Sequence, residues 1–222
     1  MISRRLAAIA ALCCFAAACS SSSAPDAEKK KAPAKASALP PETMPDAYRV
    51  RFETTKGNFT VEVKREWAPL GAERFYRLCR EGYYNDAVFF RVVRKFVAQF
   101  GINKDPDTNS LWNMKAPLQD DKRVLENKRG TLSFAKLGPN TRRTQVFINL
   151  SDNKALDRED FVPFGRIVEG LPVVDELYAK YGETANRGGG GPDPRLAEQQ
   201  GNAYFTRLFG SLDSIKKAVI EP

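Results

Sequence analysis

The chain contains no histidine. That excludes the Ser-His and Cys-His pairs of nucleophilic catalysis, and it removes the commonest metal ligand. Cysteine is scarce where it would matter. Of four cysteines, Cys13, Cys14 and Cys19 crowd the first twenty residues, and only Cys79 follows. One thiol cannot close a disulfide or build a cysteine zinc cluster within a domain, so no metal or other cofactor is expected. Cys79 reads instead as a small buried apolar residue on a helix. A membrane-spanning run is missing too: the apolar stretch from Leu6 to Ala18 is too short to cross a bilayer comfortably. Acidic residues number 27 against 35 Lys and Arg, a formal net charge of +8, or +6 once Arg4 and Arg5 are removed with a leader (8 − 2). The excess is spread along the chain, with no basic stripe or nucleic-acid module. Nucleic acid is therefore not an expected partner, and weak attraction to acidic surfaces is all the charge supports.

What is present begins with a leader. Arg4-Arg5 precede the apolar run, and residues 1–18 read as a secretory signal. The run ends Ala16-Ala17-Ala18-Cys19-Ser20, which resembles a bacterial lipobox with Ala16 in place of the usual leucine. The resemblance implies cleavage before Cys19 and lipidation of that residue. Several acyl chains together hold a protein on a membrane where one would not. An ordinary A-x-A cleavage releasing a soluble secreted protein is the alternative. Residues 19–46 are rich in Ser, Ala, Pro and Lys and carry almost nothing large and apolar, so they read as a flexible tether.

The folded domain is expected over residues 47–222. Tyr48, Val50 and Phe52 alternate with polar residues, as do Phe59, Val61 and Val63 after a turn at Lys56-Gly57: an antiparallel hairpin with one buried face. Pro69 opens a helix to about Arg80 that Gly82 ends, with Leu70, Phe75, Leu78 and Cys79 inward. Residues 102–129 read as loop, with Trp112 a packing anchor. Residues 130–135, 145–149 and 162–168 read as strands. Leu171-Pro172 starts a second helix to about Lys180. The run Gly188 to Gly191 lacks the pattern of a phosphate loop and reads as flexible. Asp193-Pro194 starts a third helical pattern with Ala197, Tyr204, Phe205 and Leu208 on one face, and residues 215–220 form a closing strand. Many strands framed by two helices imply a mainly β, closed antiparallel barrel with an extra C-terminal helical segment.

One stretch breaks the apolar pattern. Residues 89–101, FFRVVRKFVAQFG, are two Val- and Phe-rich runs interrupted by Arg91 and Gln99. A guanidinium among aromatics must be bonded or useful, because an unpaired buried charge is costly. Arg91 as half of an ion pair at the core edge is the structural reading. Three later blocks, Gly130–Lys136 with Gly138–Thr141, Thr144–Asn149 and Phe161–Gly170, follow in order. Together the four blocks resemble the cyclophilin family of peptidyl-prolyl isomerases, over about Tyr48 to Ile220.

That resemblance implies an eight-stranded cyclophilin-like barrel and an enzyme that rotates X-Pro peptide bonds. It implies Arg91 and Gln99 as catalytic residues. It implies Phe96, Val97, Phe147, Leu156 and Phe161 as the apolar slot for the proline ring, with Ala135, Lys136 and Gln145 holding the peptide on its N-terminal side. Phe161 stands where the family usually has His, and Ala155 where many members have a Trp that contacts cyclosporin, so cyclosporin binding is expected to be weak. With the leader, the expected setting is the bacterial cell envelope, lipid-anchored and facing the periplasm or exterior, with proline-containing segments of exported proteins as partners. A non-catalytic proline-peptide module or holdase is the alternative, and a purely structural envelope lipoprotein a third. One tension stands. A two-residue turn at Arg94-Lys95 would pair Arg91 with Ala98 and send Gln99 to the opposite face, so joint action requires an irregular turn.

Overall fold

The computed structural model describes residues 43–221. The leader, Cys19 and most of the tether lie outside the described residues. Eight strands, β1 (Ala47–Thr54), β2 (Gly57–Lys64), β3 (Arg91–Val93), β4 (Val97–Phe100), β5 (Thr131–Phe134), β6 (Val146–Asn149), β7 (Pro163–Glu169) and β8 (Ile215–Glu221), form one antiparallel sheet. Their order is β3-β4-β6-β5-β7-β2-β1-β8. The sheet curls until its two ends approach. There a bridge joins Val88 to Ser214, Phe89 N–H donates to Asp213 O at 2.9 Å, and Ile215 N–H donates to Ala87 O at 2.8 Å. This is the expected eight-stranded barrel, with a seam made by a bridge rather than a ladder.

The β1–β2 hairpin follows the alternation in its sequence. Tyr48, Val50 and Phe52 are buried, as are Phe59, Val61 and Val63. Phe52 opposes Phe59, and their rings stack at 4.9 Å. Each such side chain contributes about 1.5–3 kcal/mol by leaving water.

Six α-helices are present among the described residues: α1 (Pro69–Arg80), α2 (Pro106–Met114), α3 (Lys154–Arg158), α4 (Leu171–Asp175), α5 (Pro194–Gln200) and α6 (Asn202–Leu208). Helix α1 has the expected bounds and covers the barrel, Phe75 meeting Phe164 at 4.7 Å. Its inner face differs from the expected one. Leu70 is exposed, and Ala72 and Tyr76 are buried beside Phe75, Leu78 and Cys79. No neighbouring side chain caps its start. Asp121, from far along the chain, accepts from Leu70 N–H and Gly71 N–H, both at 2.9 Å. Burial pushes the Cys79 thiol well above its ordinary range, the mark of an inert packed cysteine.

Three expectations about helices are corrected. Residues 102–129 are not all loop: Asp105 caps α2, accepting from Asp107 N–H and Thr108 N–H. The helix has no apolar stripe, because Trp112 is its one buried apolar side chain, anchored against Tyr83 at 5.7 Å. The helix from Leu171 stops at Asp175 rather than near Lys180; just beyond it Tyr178 N–H turns to Asp213 Oδ2 at 2.7 Å. The third helical pattern is two helices, broken at Gly201, where φ is +59°. Ala197, Tyr204 and Phe205 are buried there with Val88, Phe90 and Ile102, while Leu208 faces solvent.

Candidate active site

Strand alternation makes the site. In β4, Ala98 and Phe100 belong to the barrel core, and Val97 and Gln99 face outward. In β6, Val146 and Ile148 point in and Phe147 points out. In β3, Val92 is core and Arg91 lies on the outer side. Register then aligns the outward residues across the sheet: Arg91 opposes Gln99, and Gln99 opposes Phe147.

The hairpin turn makes this row possible. Val93 pairs with Val97, so three residues, Arg94, Lys95 and Phe96, form the loop. Lys95 adopts φ +59°, and Phe96 N–H donates to Val93 O at 3.0 Å. The odd residue count returns Gln99 to the face of Arg91. This resolves the register tension without a bulge inside either strand.

A groove of about 760 Å³ runs over this row. Arg91, Phe96, Val97, Gln99, Ala135, Lys136, Gln145, Phe147, Leu156 and Phe161 all line it, so the structure brings every residue singled out for binding and catalysis into one recess. Val97, Phe147 and Leu156 form its apolar floor, with Phe96, Ala135 and Phe161 packed against them. Phe161 stands edge-on to Phe147 at 5.5 Å. Lys136 Nζ lies 5.5 Å from the Phe161 ring and bonds Asp120 Oδ2 at 3.1 Å. Ala135 N–H is committed to Gln145 O at 2.9 Å, so a peptide would meet the Ala135 carbonyl.

The polar residues form a directed chain. Arg91 Nη1 donates to Gln99 Oε1 at 3.1 Å, Gln99 Nε2 to Gln145 Oε1 at 2.9 Å, and Gln145 Nε2 to Glu198 Oε1 at 2.8 Å. The order is chemically fixed. Arg91 can only donate, so Gln99 must turn its oxygen to Arg91 and its nitrogen to Gln145, which in turn leaves the Gln145 nitrogen facing Glu198. Gln145 is brought to Gln99 by a close crossing at Gly101, where φ is +109° and a Cβ would lie 2.5 Å from Thr144 O. No side chain fits there, so the glycine sets the spacing of the chain.

Two carboxylates bound to these polar residues escaped the sequence reading. Glu198 on α5 accepts from Gln145 and from Asn113 Nδ2 at 3.2 Å. Glu183, in the connection between α4 and α5, takes both Arg91 Nε at 2.6 Å and Nη2 at 2.7 Å. Arg91 is 7% exposed, so its charge needs such a partner. Burial pushes the Glu183 carboxyl up, but hydrogen bonds from Arg91 and Thr184 outweigh it and hold the group below its ordinary value. The signal for Glu198 was the Asp193-Pro194 helix start that places it. No local pattern marks Glu183.

The sequence profile of the family described as "Cyclophilin type peptidyl-prolyl cis-trans isomerase/CLD" matches residues 49–193. The chain belongs to the cyclophilin family of peptidyl-prolyl cis-trans isomerases. Human "Peptidyl-prolyl cis-trans isomerase-like 3" is 35% identical over 133 residues, which cover 58% of this chain and 80% of that protein. A peptidyl-prolyl cis-trans isomerase of Arabidopsis thaliana is 34% identical over 146 residues, covering 64% and 85%. A cyclophilin-type isomerase of Cryptosporidium parvum has the same fold: its crystal structure matches with TM-score 0.57 at 22% identity, over 79% of this chain and 98% of that one. Helices α5 and α6 and strand β8 follow the residues that the cyclophilin profile matches.

Proposed function

We propose that this cyclophilin accelerates rotation about X-Pro bonds of exported proteins at the cell envelope, held there by lipid on Cys19, and so assists their folding. The leader, the lipobox-like Ala16–Ser20 and the Pro-, Ala- and Lys-rich tether support the location. The row Arg91–Gln99–Phe147, in register along the groove, is the observation that carries the chemistry.

Rotation of an X-Pro bond faces a barrier of roughly 18–20 kcal/mol because the C–N bond has double-bond character. The reaction exchanges no atoms, so the protein must bind the twisted amide better than either planar form. The pyrrolidine ring lodges on Val97, Phe147 and Leu156, with Phe96 and Phe161 as its sides. Twisting localises a lone pair on the proline nitrogen. Arg91, at the rim of that floor, presents donors to it, and Gln99 holds Arg91 in place. Four decades of acceleration need about 5.5 kcal/mol of differential binding, the scale of one charge-assisted hydrogen bond in a dry site plus a held carbonyl. The Ala135 carbonyl and Gln145 take the peptide on the N-terminal side of the proline. A related Cryptosporidium parvum protein was crystallised in the presence of the dipeptide Ala-Pro, and a short proline peptide is the natural probe here too. Weak cyclosporin binding completes the reading, since the ligand would meet Ala155 and Phe161; submicromolar inhibition of turnover contradicts it.

A chymotrypsin-coupled assay on a proline tetrapeptide tests the proposal. The full chain is expected to accelerate isomerisation, and Arg91→Ala to lose about a thousandfold in kcat/KM. Equal rates for the two proteins sink the catalytic role and leave a proline-binding holdase.

A further inference from the structure

The Gly188–Gly191 run has no role in the chemistry above, and neither has Glu183. The structure makes them parts of one device. Gly191 N–H donates to the Glu183 carbonyl at 2.8 Å, and Gly189 N–H donates to Thr184 O at 3.0 Å. A Cβ on Gly189 would stand 2.0 Å from the Glu183 carbonyl oxygen, and one on Gly191 2.7 Å from it. The loop therefore closes on the backbone of Glu183 at distances that side chains forbid. The carboxylate is fixed as well: Thr184, 2% exposed, donates to Glu183 Oε1 through its N–H at 2.8 Å and its hydroxyl at 3.1 Å.

We infer that Glu183 is a positioning residue for Arg91, held by the glycine loop so that the guanidinium keeps one edge for the substrate. A guanidinium has five N–H groups. Glu183 takes one on Nε and one on Nη2, and Gln99 takes one on Nη1. The two that are left, one on each terminal nitrogen, are not taken up by these partners, and Arg91 lines the groove beside the Phe96 ring, 5.4 Å from the guanidinium carbon. Without the carboxylate the long side chain swings among rotamers, and these donors face the amide for only part of the time. The inference rests on the isomerase reading, in which Arg91 serves the twisting amide.

The test uses the full chain and its Glu183→Ala, Glu183→Gln and Glu183→Asp forms. Exchange NMR on a capped proline tetrapeptide gives kcat and KM, and the Nε–H signal of Arg91, assigned by its loss in Arg91→Lys, reports the clamp. Glu183→Ala and Glu183→Gln are expected to lower kcat about tenfold with KM within about twofold. Glu183→Asp, which keeps the charge, recovers part of kcat. The Arg91 Nε–H signal moves upfield and exchanges faster with water in the Ala form. A structural role alone would lower the folded fraction and leave kcat per folded molecule unchanged. Unchanged or raised kcat in both substituted forms, beside an active wild type, overturns the inference. An inactive wild type instead removes the isomerase reading, and there an Arg91 Nε–H signal indifferent to Glu183→Ala still overturns the clamp.

Discussion

The groove has two walls of different origin. One is built by strands: β3, β4 and β6 present Arg91, Val97, Gln99 and Phe147 from neighbouring rungs of a ladder. The other is built by the connection from α4 to α6, which lines the groove with Thr184 and Glu198 and carries Glu183 to Arg91. On the strand wall, position and stability are one property, because the backbone bonds that align the side chains also hold the barrel. On the connection wall they separate. Glu183 is aimed by a glycine loop that adds little to the core. A protein built this way can vary how Arg91 is held without disturbing the fold that carries it.

The sharpest way to break that contrast is Phe147→Ala. Phe147 is 4% exposed and forms the floor with Val97 and Leu156. Its loss is expected to cost about 3 kcal/mol of stability, measured by urea unfolding, because a cavity is left where an aromatic ring packed. It should also lower kcat/KM about a hundredfold, mostly through KM, since the proline ring loses its largest contact. Full activity with normal stability would show that the strand wall is not the binding surface.

Gly189→Ala probes the other wall. The new methyl would strike the Glu183 carbonyl oxygen. The loop is exposed around Gly188 and Gly190 and can give way, so the unfolding midpoint is expected to stay within about 1 kcal/mol of wild type. Displacing Glu183 should nevertheless lower kcat about as far as removing its carboxylate, roughly tenfold. A large stability loss instead would show that position and stability are joined on this side as well.

The same contrast governs what could be read from the chain. The barrel was legible because a two-residue period in segments such as Tyr48–Phe52 states which side faces the core. Residues 89–101 were legible because Arg91 and Gln99 violate that pattern, and a buried guanidinium demands an explanation. The demand for a partner was readable; its identity was not. Glu183 is 92 residues away and meets Arg91 only after the sheet has curled. Helix α2 was missed because it lacks an apolar stripe, although Asp105-Pro106 is a helix start of the same kind as Asp193-Pro194. The break at Gly201 was hidden for a different reason. It depends on the close approach of Lys104, where a Cβ would lie 2.0 Å from the carbonyl oxygen.

The smallest expected effect concerns acid. In the fold Glu183 titrates below its ordinary 4.5, burial raising it and the bonds from Arg91 and Thr184 lowering it further. A carboxyl depressed by folding contributes stability that is fully present above its unfolded pKa and is lost as pH falls through its folded pKa. Wild type should therefore exceed Glu183→Gln by on the order of 1 kcal/mol at neutral pH, after allowance for partial exposure of the pair. The gap should begin to close below about pH 4.5 and vanish once the wild-type carboxyl is protonated. Asp105 and Asp120 are depressed too, but they titrate in both proteins and cancel in the difference. Urea unfolding of the two proteins between pH 3 and 7 measures it. A gap independent of pH would mean that Glu183 contributes by shape, leaving Arg91 to Gln99 alone.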